Sequence, residues 1–253
     1  MEEASAEKSG GASSTVAETG SHKHVVLFYK YFVPDKYPLL HKHPQYYEEQ
    51  LGVLQKQLCQ TLQLKGRVLL AAEGVNGTLS ASSDRQLQEY IDTLSKFDLV
   101  QDCGLPPGED NPNDTHPPEL LFEGIDWKIS NSDTVIEPFP DLKIQIVKEI
   151  ISTGNTIHVQ DIPELGGQHL SPSEFHQAIL ENENVILIDV RNTFEYDIGH
   201  FVNPQTHAKA INPETVTFSS FDNFCGKNAD ELKDKKVLMY CTGGIRCVDM
   251  GGG

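Results

Sequence analysis

The sequence predicts two structured domains of different class. Residues 24–150 read as an α+β sandwich and residues 171–253 as an α/β domain, behind a disordered tail, residues 1–23. Three observations predict this. Strand-like and helix-like periodicities follow one another in the order βαββαβ over the first segment. In the second, near-continuous apolar runs alternate with helical stretches, the mark of parallel strands covered on both faces. Between them, residues 151–170 contain Gly154, Pro163, Gly166 and Gly167, a linker composition. The tail is rich in Ser, Gly, Ala and Glu and has no apolar block, so it reads as neither a secretory signal nor, being acidic, a mitochondrial transit peptide. A cytosolic location is expected.

In the first domain, His24 to Phe32 (HVVLFYKYF) has the Val, Tyr and Phe content of a strand. Tyr47, Leu51, Leu54, Leu58 and Leu62 step by three or four and form one face of a helix from Gln45 to Leu62. Arg67–Ala72 and Thr78–Ala81 read as two strands around a turn at Glu73-Gly74-Val75-Asn76-Gly77, because Asn-Gly tolerates positive φ at both residues. A second helix is expected from Asp84 to Phe97, with Leu87, Tyr90, Ile91 and Leu94 inward and a capping box at Ser83 and Gln86. Cys103 to Pro118 is too rich in Pro, Gly, Asn and Asp to be anything but loop. Leu142–Lys148 alternates like a half-buried strand and closes the set. That element order is ferredoxin-like.

The second domain opens with Ser171-Pro172-Ser173-Glu174, a capping box with proline at the first helical position, and this helix should end near Asn182. Asn184–Val190 (NVILIDV) and Lys236–Tyr240 (KVLMY) read as buried parallel strands. Short helices are expected at Thr193 to Ile198 and Ala229 to Lys233. The second strand runs straight into Cys241. In open α/β sheets the active site lies beyond the strand C-termini, so Cys241 stands where chemistry is expected.

The chain of 253 residues has a net charge of −17, unevenly spread. Residues 24–100 balance eight basic against eight acidic residues, whereas residues 101–170 hold three basic and thirteen acidic. No segment is a basic platform, which argues against DNA as a partner but leaves room for a local basic groove in residues 24–100. No apolar stretch approaches the roughly 20 residues of a membrane span. The five cysteines, Cys59, Cys103, Cys225, Cys241 and Cys247, are an odd, sparse set and read as reduced thiols. Cys59 reads as a packing residue. There is no Cys-x2-Cys pair, so no structural zinc site is expected, and His22, His24, His41 and His43 read as surface histidines. No metal or cofactor is expected.

A cysteine is a nucleophile only as its thiolate. Gly243 and Gly244 let the backbone curl so that successive N–H groups face one centre, and Arg246 adds a fixed positive charge. Both should lower the Cys241 pKa. The loop Cys241-Thr242-Gly243-Gly244-Ile245-Arg246 resembles the active loop of rhodaneses, with glycine three and arginine five residues after the cysteine. Asp189-Val190-Arg191, Glu195 and Gly199-His200-Phe201 are similar to the upstream rhodanese signature. Protein-tyrosine phosphatases need arginine six residues after the cysteine, where this chain has Cys247. Together, GVNGTLS in the first half and CTGGIRC in the second resemble the rhodanese-containing family that includes bacterial tRNA wobble-uridine hydroxylases. That resemblance covers about residues 24–247.

The resemblance implies that Cys241 accepts sulfane sulfur as a persulfide, with a sulfane-sulfur donor as one partner. It implies oxygen- and cysteine-dependent uridine chemistry at Cys241, Arg246 and Cys247, the last as a resolving thiol. Thr242, Gly243, Gly244 and Ile245 would supply the amide cradle, and Asp189, Arg191 and Glu195 would support it. It also implies tRNA as a partner, presented by the N-terminal domain. The family continues after Cys247 into a helix and further rhodanese elements. Here the chain reads Val248-Asp249-Met250-Gly251-Gly252-Gly253, and three glycines cannot support a helix, so an incomplete rhodanese domain lacking that helix is expected. Three functions therefore compete: a tRNA uridine hydroxylase, a thiosulfate or persulfide sulfurtransferase, and an inactive rhodanese module with a binding or regulatory role.

Overall fold

The computed structural model describes residues 24–109, 116–131, 137–152, 158–181, 184–214 and 221–250, with backbone alone at 165, 222 and 248–250. The expected tail at 1–23, parts of the expected loop and linker, and the terminal glycines lie outside the described residues. Elements follow in the order β1 (His24–Tyr31), α1 (Pro38–Lys42), α2 (Pro44–Thr61), β2 (Lys65–Ala71), β3 (Gly74–Ala81), α3 (Asp84–Ser95), α4 (Leu99–Cys103), β4 (Lys128–Asn131) and β5 (Leu142–Ile146). There follow α5 (Ile162–Leu165), α6 (Pro172–Glu181), β6 (Val185–Asp189), α7 (Thr193–Ile198), α8 (Phe221–Leu232), β7 (Lys236–Tyr240) and α9 (Ile245–Met250).

The first five strands form one sheet in the order β4-β1-β3-β2-β5, with β5 parallel to β2 and the other neighbours antiparallel. Strand periodicity places Val26, Phe28, Val68, Leu70, Val75 and Leu79 on one face, where they are buried with Tyr47 and Leu51 of α2 and Leu87 and Tyr90 of α3. The capping box at Ser83 forms as expected, Gln86 accepting from the Ser83 amide at 3.0 Å. Cys59 is fully buried in this core, and burial pushes its thiol up to about 12. The α+β class of this domain and the α/β class of the next agree with the sequence reading.

Four details differ, one of them the short helix α4, which was not expected. The strand beside β1 that completes the βαββαβ set is Lys128–Asn131, while Leu142–Ile146 is a fifth strand on the far edge. At four residues, Lys128–Asn131 is too short to show alternation. The β2–β3 turn is tighter than expected and lies at Ala72-Glu73; Asn76 and Gly77 are inside β3, opposite Tyr29 and Phe28. A Cβ at Gly77 would lie 2.3 Å from Phe28 Cζ, so this glycine makes room for a buried ring rather than for a turn. Finally, α1 was not expected. Its first N–H groups, at Leu39 and Leu40, are satisfied by the distant, buried Glu119 carboxylate at 2.8 and 3.4 Å.

In the second domain, β6 and β7 pair in parallel, Asp189 opposite Tyr240, and α6 carries the expected cap, Glu174 accepting from the Ser171 amide at 2.8 Å. α7 has the expected bounds, and α8 starts at Phe221, eight residues earlier than expected. The expectation that no helix follows the active loop is corrected. Ile245–Met250 is helical, because the six residues before the glycines have ordinary helical propensity.

Candidate active site

Cys241 follows directly on β7, and its sulfur is held by the loop that β7 feeds. Gly244 has φ +89, a conformation other side chains rarely adopt, and this turns its N–H back to donate to Cys241 Sγ at 2.9 Å. The Cys241 pKa is lowered to about 6. The largest cause is the Cys247 thiol, which donates to the Cys241 sulfur; burial opposes it, and the N–H groups of Gly243, Arg246 and Gly244 add to it. Cys247 is the third residue of α9, and this bond together with burial raises its own pKa. The two shifts run in opposite directions: the pairing favours a thiolate at Cys241 and keeps the proton on Cys247. Cys103, by contrast, is pushed up to about 12 by burial and Asp102.

Glu195 organises the loop from outside. It accepts from the Thr242 hydroxyl at 2.8 Å, the Asn192 amide at 3.1 Å and Arg246 Nη1 at 3.4 Å. Burial works against its charge, but these donors together hold its carboxyl below the ordinary value. The Arg246 guanidinium is thus engaged by Glu195, and what Arg246 gives the Cys241 sulfur is its backbone N–H. One step back, Asp189 is fully buried and takes a two-pronged grip from Arg191, Nε at 2.9 Å and Nη2 at 2.6 Å. Tyr240 also donates to Asp189, at 2.7 Å, and accepts from the Phe201 amide at 2.9 Å. Arg191 reaches on to the Gly199 carbonyl at 2.5 Å. This network joins the ends of β6 and β7 immediately before Cys241.

The N-terminal domain reaches the loop. On β1, Leu27, Tyr29 and Tyr31 point away from the helix-covered core. Ile245 packs with Ala71, Ile150, Tyr29 and Tyr31. A cavity of about 1650 Å³ is lined by Cys241, Thr242, Gly243, Gly244 and Cys247 on one side and by Asp126 and Lys128 of the first domain on another. Lys128 Nζ lies 5.5 Å over the Tyr29 ring and pairs with Asp126.

Residues 23–150 match the family described as UPF0176 acylphosphatase like domain, and residues 171–250 match the rhodanese-like domain. The chain belongs to the UPF0176 family, with a rhodanese-like domain following the family's N-terminal domain. Among relatives of this UPF0176 protein, a protein of Aster yellows witches'-broom phytoplasma is 32% identical over 92% of this chain and 61% of its own length. One of Bacillus cytotoxicus is 33% identical over 81% of this chain and 53% of its own. One of Acinetobacter baumannii is 35% identical over 75% and 49%. Each is named tRNA uridine(34) hydroxylase. The chain matches only about half to three fifths of the length of these relatives.

In this UPF0176 protein the structure brings Cys241, Thr242, Gly243, Gly244, Arg246, Cys247 and Glu195 together, with Asp189 and Arg191 joined through Tyr240. Ile245, expected to give only its backbone, is buried against the N-terminal sheet. None of the five cysteines is in a disulfide, and among the described residues no cluster of His, Cys, Asp and Glu is placed to hold a metal. His41 is bonded to the Phe32 carbonyl and His43 to Glu109, so neither is a bare surface group; His22 lies outside the described residues. Among the described residues no helix is long and apolar enough to cross a membrane. Sequence reasoning missed Leu27, Tyr29, Lys128, Ile150 and Tyr240. One signal was present: β1 has large apolar or aromatic residues on both faces, which a strand covered on both sides needs.

Proposed function

We propose that this chain carries the catalytic cysteine and the RNA-presenting domain of a tRNA-uridine-modifying protein, with Cys241 as the nucleophile. One observation carries the reading: a cysteine sulfur that accepts the Gly244 N–H at 2.9 Å and lines a cavity walled by both domains. The names of the relatives support tRNA as that substrate. Lys128, on the N-terminal wall and paired with Asp126, is one of the cations that line this cavity and could meet a backbone phosphate.

The first chemical step of this reading uses a sulfane-sulfur donor such as thiosulfate. The Cys241 thiolate attacks the outer sulfur, the S–S bond of thiosulfate breaks, and sulfite leaves with the electron pair. Cys241 then carries a persulfide, stabilised by the loop N–H groups and the Cys247 thiol. In this reading the Cys247 sulfur then attacks the inner sulfur of the persulfide, the Cys241–Cys247 disulfide forms and the outer sulfur leaves as hydrosulfide. Thr242, Glu195 and Arg246 hold the loop, and Asp189 and Arg191 hold the strand ends. A reduced thiol and a tRNA substrate fit the cytosol as the working compartment.

Nucleoside analysis tests the reading. Unmodified tRNA is incubated with the chain, thiosulfate, air and a small-molecule thiol, whose oxidation to disulfide supplies the two electrons that reduce the second oxygen atom to water, then digested and examined by mass spectrometry. The expected result is a uridine that gains one oxygen with the wild-type chain and none with Cys241→Ser. Unchanged uridine alongside a persulfide on Cys241 would favour simple sulfur transfer instead.

A further inference from the structure

The two adjacent glycines of the loop have different causes. Gly244 is glycine for its backbone, at φ +89. Gly243 is not in the left-handed region, so its backbone would accept a side chain. It is buried, and a Cβ there would lie 2.7 Å from Leu27 Cδ2 and 3.1 Å from Leu27 Cδ1. Leu27 belongs to β1 of the other domain. The loop backbone thus lies directly on a side chain from the N-terminal sheet. Beside it, Tyr29 Oη lies 3.2 Å from where a Cβ of Gly244 would be.

The next residue of the loop is held in the same way. Ile245 opens α9 and packs on Ile150, and Ile150 is gripped at both ends of its peptide unit. Its N–H donates to Glu73 at 2.6 Å, and its carbonyl accepts from Asn76 Nδ2 at 3.1 Å. Glu73 and Asn76 come from the β2–β3 turn and from β3, within the stretch Glu73–Ala81 singled out in the sequence. That stretch therefore fixes a hydrophobic block behind the first turn of α9.

We propose that the outer face of the N-terminal sheet is the seat of the nucleophile loop, and that Leu27, with Ile150 held by Glu73 and Asn76, are positioning residues for Cys241. The physical argument is geometric. The Gly243, Gly244 and Arg246 amides act on the sulfur only while the loop keeps its curl. A floor that contacts Gly243 and Ile245 prevents the curl from relaxing, because tightly packed contacts resist small displacements. The inference deepens the reading of Cys241 as nucleophile and rests on it.

The test measures iodoacetamide alkylation of Cys241 against pH in the full chain, by peptide mass spectrometry. Gly243→Ala places a methyl against Leu27 and should raise the alkylation midpoint by about one unit or more, as expected when hydrogen bonds to a charged form are weakened. Leu27→Phe alters no residue of the loop and should raise it too. The double variant Leu27→Ala/Gly243→Ala should bring the midpoint back towards wild type, which a general loss of fold would not do. An unchanged midpoint in folded Leu27→Phe, or no recovery in the double variant, would overturn the proposal. A wild-type chain in which Cys241 itself has an ordinary thiol midpoint would instead remove the nucleophile reading on which it rests.

Discussion

Cys241→Ser should abolish persulfide formation, with a rate at least roughly a thousandfold below wild type, the scale seen when a covalent nucleophile is removed. Serine keeps the size of the side chain, but its hydroxyl does not ionise near neutral pH. The Gly244 N–H and the Cys247 thiol would then have no anion to meet. Mass spectrometry after thiosulfate treatment reads the outcome as a one-sulfur adduct. Wild type should carry it on the peptide containing Cys241, and the variant on no peptide. An adduct of equal yield in the variant, on Cys247 or Cys225, would move the chemistry to another thiol.

Asp189→Ala should be the most damaging supporting change. The carboxylate is fully buried and receives Arg191 and Tyr240 together. Removing it leaves a guanidinium and a hydroxyl without their acceptor at the β6–β7 junction. Breaking a buried pair from one side costs about 3 kcal/mol or more, a large share of the roughly 5–15 kcal/mol that holds a domain together. Burial opposes the Asp189 charge, but the bonds from Arg191 and Tyr240 more than offset it and lower its pKa from the ordinary 3.8. Its contribution is therefore present above that value and lost as pH falls through the lower native one. Urea titration of the second domain should show the loss at neutral pH, with a smaller gap between wild type and variant in strong acid. A loss under 1 kcal/mol at neutral pH would mean that the network is decorative.

What could be read in the sequence and what could not divide along one line. The cysteine loop, β7, α7 and the Ser171 cap are written within a few consecutive residues, and their hydrogen bonds close locally. The site members Asp189, Arg191 and Glu195 were legible as a group, but their individual bonds were not. That Arg246 faces Glu195 with its guanidinium and Cys241 with its amide depends on how β6 and β7 lie side by side. Gly243 gives its N–H to the anion cradle as expected, but its other neighbour, Leu27, lies on a strand at the other end of the chain and was not legible. Asn76 and Gly77 carry a strong turn signal that tertiary packing against Phe28 and Ile150 overrides. Lys128–Asn131 is strand only because β1 offers it an open edge.

Cys241 can act as the nucleophile only if the fold makes it a thiolate at neutral pH while Cys247 stays protonated. Alkylation of all five cysteines of the wild-type chain, followed peptide by peptide from pH 4 to 10 (on the order of the range in which thiols titrate), tests it directly. Cys241 should react first, with a midpoint near 6, and Cys59 and Cys103 should remain silent until the chain unfolds. A Cys241 midpoint near the ordinary thiol value of 9, or Cys247 reacting ahead of it, would contradict the claim.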